Sequence, residues 1–212
     1  MGLIEDIAMA VQTGKAKQIK ELVPKAIEEG HSAQEILNDG LLAGMAVIGD
    51  RFTRNEAFVP EVLVSARAMN KGTELIKPIL MAEGAEPIGT AILGTVQGDL
   101  HDIGKNIVRL MTESKNINVI DLGVDVAPET FVQAVKDNNA KVCMCSALLT
   151  TTMPMLDATV KAFVDAGFRD QVKIMIGGAP VTQDYCNQIG ADVYTEDGAA
   201  AADACAKLIL ES

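Results

Sequence analysis

The sequence predicts an α/β protein in two parts, a bundle of four to five helices followed by a five-stranded parallel sheet wound with helices on both faces. Two observations predict it. Up to about Glu83 apolar residues recur at helical spacing, whereas beyond Gly89 short apolar runs bounded by Gly and Pro alternate with amphipathic stretches. Regular alternation of strand and helix signals a parallel sheet with helical crossovers. The chain therefore divides into a helical part, residues 1–87, and an α/β part, residues 88–212, with Ala85-Glu86-Pro87 as a short linker.

In the first part, Leu3 to Val11 is a short amphipathic helix. Ala16 to Glu29 is a second, with Ile19, Leu22, Val23, Ala26 and Ile27 on one stripe, Pro24 as a kink position and Gly30 as a stop. Ser32-Ala-Gln-Glu35 has the form of a capping box opening a third helix, beside which His31 is expected to be exposed and without partners. Leu41 to Phe52 reads as a fourth. Pro60 lies in the first turn of a long fifth helix reaching about Met81, with Pro78 as a place where it bends or ends.

In the second part, strands are expected at 90–96, 117–122, 141–146, 172–177 and 192–194. Helices are expected at 104–115, 128–138, 153–166, 181–189 and 197–210, with Pro128 and Asp197 as starters and Gly123, Gly167 and Gly190 as stops. With the flavodoxin-like strand order 2-1-3-4-5, the switch point falls between the first and third strands, where open α/β sheets bind ligands.

Composition narrows the function classes. Of 212 residues 49% are hydrophobic and 3% aromatic, with no Trp, so the core is built from Ala, Val, Ile, Leu and Met. A net charge of −11 argues against nucleic acid, which rewards basic stripes. No opening segment joins a basic stretch to an apolar core and no apolar run approaches membrane-spanning length, so a cytoplasmic location is expected, without membrane association. Cys143, Cys145, Cys186 and Cys205 form no zinc spacing. Cys143 and Cys145 share one face of a strand, either as small buried apolar residues or in a redox or soft-metal role.

The chemistry concentrates at Gly98-Asp99-Leu100-His101-Asp102-Ile103-Gly104, directly after the first strand. A loop histidine with a carboxylate two residues earlier has the form of a metal ligand and the acid that orients it, or of a hydrogen-bonded loop histidine. Gly104 is followed after 41 residues by Ser146-Ala147-Leu148, and Leu148 after 28 residues by Gly177-Gly178. Taken alone, the glycine pair is also an ordinary strand-to-helix turn.

Together these three elements resemble the Asp-x-His-x-x-Gly, Ser-x-Leu, Gly-Gly signature of corrinoid proteins that bind cobalamin base-off and histidine-on. The resemblance implies that His101 is the lower axial ligand to cobalt, oriented by Asp99. A hydroxyl that the family carries on serine ends this relay, and it falls here on Thr152 or its neighbour Thr151. Gly98, Leu100, Asp102, Ile103 and Gly104 would shape the bed of the corrin. Ser146, Leu148, Thr150, Gly177 and Gly178 would line the slot for the displaced nucleotide tail.

A second resemblance covers the helical part. Gly44-Met-Ala-Val-Ile-Gly-Asp-Arg-Phe52 and Phe58-Val-Pro-Glu-Val-Leu-Val-Ser-Ala-Arg-Ala-Met69 are similar to the cap of methionine synthase and of small methyltransferase corrinoid proteins. That similarity gives Phe58 the role of shielding the reactive upper face, with Val59 and Met45 as further candidates. It implies a protein that carries a methyl group on cobalt, as methylcobalamin, between a substrate:corrinoid methyltransferase and a second methyltransferase. The second would deliver the methyl to tetrahydrofolate or coenzyme M, and a reductive activase would restore the cobalt. Methylamines, betaine, methanol and methoxylated aromatics are all open as substrates, with methylated amines favoured. Three rival functions are a small subunit of an adenosylcobalamin mutase, which lacks such a cap, a cobalamin-sensing regulator, which adds a DNA-binding module, and a flavodoxin-like FMN module, which needs a phosphate loop absent here.

Overall fold

The computed structural model describes residues 2–82 and 86–211, Met81 by its backbone, so Ala85 of the expected linker lies outside the described residues. The chain separates into two compact units, Met1–Glu86 and Pro87–Ser212.

The first unit contains α1 (Leu3–Gln12), α2 (Ala16–Glu28), α3 (Ala33–Glu35), α4 (Ala43–Thr53) and α5 (Val59–Ala82). Its core is a dry cluster that includes Ile7, Val11, Ile19, Val23, Ile36, Leu41, Met45, Ile48 and Met69, all fully or almost fully buried. The expected break between the third and fourth helices does not occur. A π-helical stretch, Ile36–Leu42, carries the backbone from α3 into α4. The reason is close packing on α1. A Cβ on Gly40 would lie 2.9 Å from Ile7 Cγ2, and one on Gly44 would lie 2.6 Å from the Ala8 carbonyl oxygen. Both glycines thus serve contact between helices, which outweighs their tendency to end one. Pro24 sits inside α2 and Pro78 inside α5, and neither terminates its helix.

His31 is not partnerless. Its Nδ1 lies 3.1 Å from the Glu35 carboxylate. The Ser32 hydroxyl accepts the Glu35 N–H at 3.1 Å, so the cap is present on one side only, the Glu35 side chain being engaged with His31.

The second unit alternates β1 (Thr90–Thr95), α6 (Ile103–Glu113), β2 (Asn118–Asp121), α7 (Pro128–Asp137), β3 (Val142–Ser146), α8 (Met153–Asp165), β4 (Lys173–Gly177), α9 (Gln183–Ile189), β5 (Val193–Tyr194) and α10 (Gly198–Leu210). All pairings are parallel and the order is β2-β1-β3-β4-β5, the doubly wound arrangement expected from the alternation. Because side chains alternate across a strand, each central strand feeds two cores. Ile92, Cys143, Cys145, Ile174 and Ile176 join Phe131 and Phe163 on one face. Ala91, Leu93, Val142, Met144 and Met175 join Ala201 and Cys205 on the other. Cys143 and Cys145 lie with their sulfurs 3.7 Å apart inside the first core, where burial pushes the Cys143 thiol above its ordinary range. No group of three or more His, Cys, Asp or Glu side chains converges among the described residues, which leaves the two thiols without the partners a soft-metal site needs. No helix among the described residues is long and apolar enough to cross a membrane.

Candidate functional site

The carboxyl ends of β1, β3, β4 and β5 release four loops to one edge of the sheet. The loop after β1 turns at Gly98, whose φ of +81° is open to glycine at little cost, and runs through Asp99 and His101 into α6. Asp99 is wholly buried and its two oxygens are fully used. Oδ1 accepts the His101 ring at Nδ1 (2.7 Å) and the His101 backbone N–H (3.1 Å). Oδ2 accepts the Leu148 N–H (2.7 Å), the Leu149 N–H (3.3 Å) and the Thr152 hydroxyl (2.7 Å). Thr152 Oγ1 also lies 2.9 Å from the Leu149 carbonyl, and its single proton goes to the closer, charged oxygen of Asp99. Thr151 is exposed and Thr152 buried.

Burial alone would raise the Asp99 carboxyl, but hydrogen bonds from Thr152, the Leu148 N–H and His101 together hold it well below the usual carboxylate range. The ionised Asp99 faces Nδ1 of His101, which leaves Nε2 turned outward. Nothing among the described residues bonds to Nε2, and the His101 side chain is 50% exposed. Leu100 (72% exposed), Ile103 (71%), Leu148 and Leu149 present apolar surface in the same two loops. A cluster of large apolar side chains exposed around an outward ring nitrogen marks a binding surface.

Beside this surface a cavity of about 350 Å³ enters the second core between the sheet, α6 and α10. Ser146, Leu148, Gly177 and Gly178 line it, as do Leu100, His101, Asp102, Ile103 and Gly104. Gly98, Asp99 and Thr150 do not, and Thr150 is exposed. The two glycines of the pair differ in what requires them. A Cβ on Gly177 would meet only the Thr195 carbonyl oxygen at 3.5 Å, an ordinary contact, so the fold by itself does not require glycine there. Gly178 is dictated by the backbone: its φ is +128° and a Cβ would lie 1.9 Å from the Ala147 carbonyl oxygen. Gly178 lines the cavity and also lets the β3 and β4 loops pass each other, which they could not do there with any side chain. A Cβ on Gly104 would meet nothing within 4 Å, which leaves open space at the first turn of α6.

Several site residues were not expected from the sequence. Thr195, Asp197 and Gly198 bring the loop after β5 to the cavity, and Asp197 caps α10 through the Ala200 N–H at 2.8 Å. Their signal was position, since they follow a strand at the same edge as the other three loops. The Thr95 hydroxyl donates to the His101 carbonyl (2.9 Å) and lies 3.2 Å from Ser146 Oγ. Lys105, almost fully buried at the cavity wall, is neutralised by both oxygens of Asp121 at 2.7 and 2.6 Å. In the other unit Phe58 is 65% exposed, whereas Met45 is completely buried, which makes Met45 a core residue rather than a shield.

A single imidazole cannot hold a bare metal ion. It suits a metal whose equatorial positions are already filled by a planar macrocycle, needing one axial nitrogen, an apolar bed and room for an appended group. His101, the exposed leucines and isoleucine, and the cavity supply these three, so the residues fit a corrinoid.

The Asp99 network gives the first expected result. Asp99 is ionised in the native state below its unfolded value of about 3.9, so its contribution is complete above that value and is lost as pH falls through it. Asp99→Asn turns one acceptor into a donor facing other donors, and costs about 3 kcal/mol at neutral pH. Urea unfolding of both proteins at pH 7 and at about pH 2.5, below the unfolded value, should show this gap shrinking at the lower pH. A gap that is constant or grows on acidification is the contrary outcome.

Comparison with known proteins agrees with this chemistry. Two models, each described as a B12 binding domain, match the chain, one over residues 89–206 and one over residues 3–77. Trimethylamine corrinoid protein 1 of Methanosarcina acetivorans is 43% identical over 83% of this chain and 82% of its own length. Dimethylamine corrinoid protein 1 of the same organism is 42% identical over 94% of this chain and 93% of its own. Among solved structures, the methanol:cobalamin methyltransferase complex of Methanosarcina barkeri contains a chain superposing with a TM-score of 0.88 at 32% identity, covering 99% of this chain and 80% of that one.

Proposed function

The chain belongs to the B12-binding domain family, and on that premise we propose that it is the methyl-carrying corrinoid protein of a methyltransferase system whose substrate is a methylated amine. The observation that carries this reading is His101, whose Nε2 lone pair is free and whose ring is fixed through Nδ1 by a buried carboxylate. Bound cobalamin supplies the cobalt that takes a methyl group from one partner and yields it to another. The chain supplies the hold on that cofactor. His101 Nε2 would hold the cobalt, in the base-off, histidine-on manner, and Asp99 would make the imidazole a better donor by accepting a hydrogen bond from Nδ1. The Thr152 hydroxyl stabilises negative charge on Asp99 and with it the proton on Nδ1. Within the chain, the Asp99–Thr152 pair would hold the Nδ1 proton of His101 in place. The cavity beside His101 receives the nucleotide tail that the imidazole displaces, with Ser146 at its wall.

Relatives named for trimethylamine and dimethylamine support an amine substrate, and the similarity to a chain of a methanol:cobalamin methyltransferase complex supports a partner that brings the substrate. The second methyltransferase, acting on tetrahydrofolate or coenzyme M, and a reductive activase complete the proposed system.

The test combines the chain, reconstituted with hydroxocobalamin and reduced, with a methyltransferase specific for trimethylamine, dimethylamine or monomethylamine. An absorbance change reporting methylation is expected with one of these amines and not with methanol. Failure of the purified chain to retain the corrinoid on gel filtration overturns the reading. Methylation by methanol or a methoxylated aromatic alone overturns the amine assignment.

A further inference from the structure

We propose that Asp125, in the loop between β2 and α7, is a positioning residue that sets the His101 ring from outside the Asp99–Thr152 relay. The inference rests on His101 being the ligand that the proposed function requires. Asp125 touches the histidine loop twice. Its backbone N–H donates to the Asp99 carbonyl at 3.0 Å, and its Oδ1 accepts the Gly98 N–H at 2.7 Å. To do so it adopts a φ of +56°, in the left-handed region that non-glycine residues enter at a cost. Gly98 itself turns at +81°, so the two bonds fasten the loop at its sharpest point, one residue before the buried carboxylate.

The neighbours of Asp125 extend the same attachment. Val126 bridges Val96 in parallel, and its N–H donates to the Thr95 carbonyl at 3.0 Å. At the far side of His101, Lys105 is anchored to Asp121, which ends β2 and also accepts the Gly123 N–H at 2.9 Å. The chain leaving β2 therefore grips the histidine loop on both sides, at Gly98–Asp99 and at Lys105. Asp99 can hold the imidazole at one angle only if its own backbone is fixed, and Asp125 fixes its carbonyl while the Val96 carbonyl accepts its N–H at 3.1 Å. Asp125 is exposed, so replacing it with alanine removes the acceptor for the Gly98 N–H without opening the core, while the backbone bond to Asp99 remains.

The experiment compares the full-length chain with Asp125→Ala, Asp125→Asn and Asp125→Gly. The first readout uses the protein without cofactor: long-range 1H–15N NMR gives the ratio of Nδ1–H to Nε2–H tautomers of His101, with His31, the one other histidine, as internal control. Asp125→Ala should lower that ratio about fivefold, the change equivalent to one net hydrogen bond. Asp125→Asn keeps an acceptor for Gly98 and tolerates positive φ, so it should restore the ratio. Asp125→Gly relieves the backbone but lacks the acceptor, so it should behave as the alanine variant does. The second readout is the nitrogen splitting in the EPR spectrum of the bound Co(II) corrinoid, expected to weaken in the alanine and glycine variants alone. Unchanged ratios in both of these variants overturn the proposal, as does restoration by glycine or failure of asparagine to restore. Because the tautomer ratio is read without cofactor, these outcomes are independent of whether the chain binds a corrinoid at all.

Discussion

Replacing His101 with alanine abolishes the nitrogen splitting that a protein imidazole imposes on the EPR spectrum of bound Co(II) corrinoid, and leaves the fold in place. The ring is half exposed and contributes little to either core, while Asp99 keeps its bonds from Thr152, Leu148 and Leu149. The affinity for corrinoid should fall by more than the about 10- to 100-fold that loss of an outer partner of a metal ligand costs. Labelling the protein with 15N identifies the source of the splitting, since a protein nitrogen changes its pattern and a cofactor nitrogen does not. A label-sensitive splitting that survives in His101→Ala means that another side chain is the ligand.

Gly178→Ala is the most damaging single substitution the site offers. The new Cβ would lie 1.9 Å from the Ala147 carbonyl oxygen at a φ of +128°, so both the contact and the backbone conformation are refused. The Ala147 N–H donates to the Gly177 carbonyl at 3.1 Å and the Val181 N–H to that of Gly178 at 2.9 Å, so the strain spreads along both loops. A loss of about 4 kcal/mol is expected, in the range of the severest point substitutions. Thermal unfolding should register it as a fall of at least about 8 °C. Corrinoid retention should vanish as well, because the displaced loop carries Leu148. A variant as stable as the parent would mean that the β3 and β4 loops separate freely.

The sheet was legible because its evidence is local: the strands are short apolar runs, and alternation with helices dictates parallel pairing. The histidine motif was legible for the same reason, as a residue pattern at a strand end. What escaped notice depends on contacts between distant residues. Nothing around Gly40 in the sequence announces a π turn, which exists because Ile7 stands 2.9 Å from the place of its missing Cβ. Lys105 and Asp121 are 16 residues apart with no pattern joining them, and only the fold brings the ammonium against the carboxylate. Two hydroxyl candidates, Thr151 and Thr152, are equivalent in sequence, and only the turn into α8 points one of them at Asp99. His31 failed in the other direction, its pairing with Glu35 being an ordinary one-turn contact on the surface.

Asp99 is bonded to residues 49 to 53 positions further along the chain, across the two central strands. No partly folded form can orient the imidazole, because the carboxylate that does so is assembled only when β1 and β3 are already side by side. Competence to capture the cofactor and completion of the sheet are therefore one event. A corrinoid that binds only the finished sheet shifts the folding equilibrium by mass action, by about 2.7 kcal/mol at a hundredfold excess over Kd. Bound corrinoid would therefore protect the chain from proteolysis of its unfolded form by the same factor.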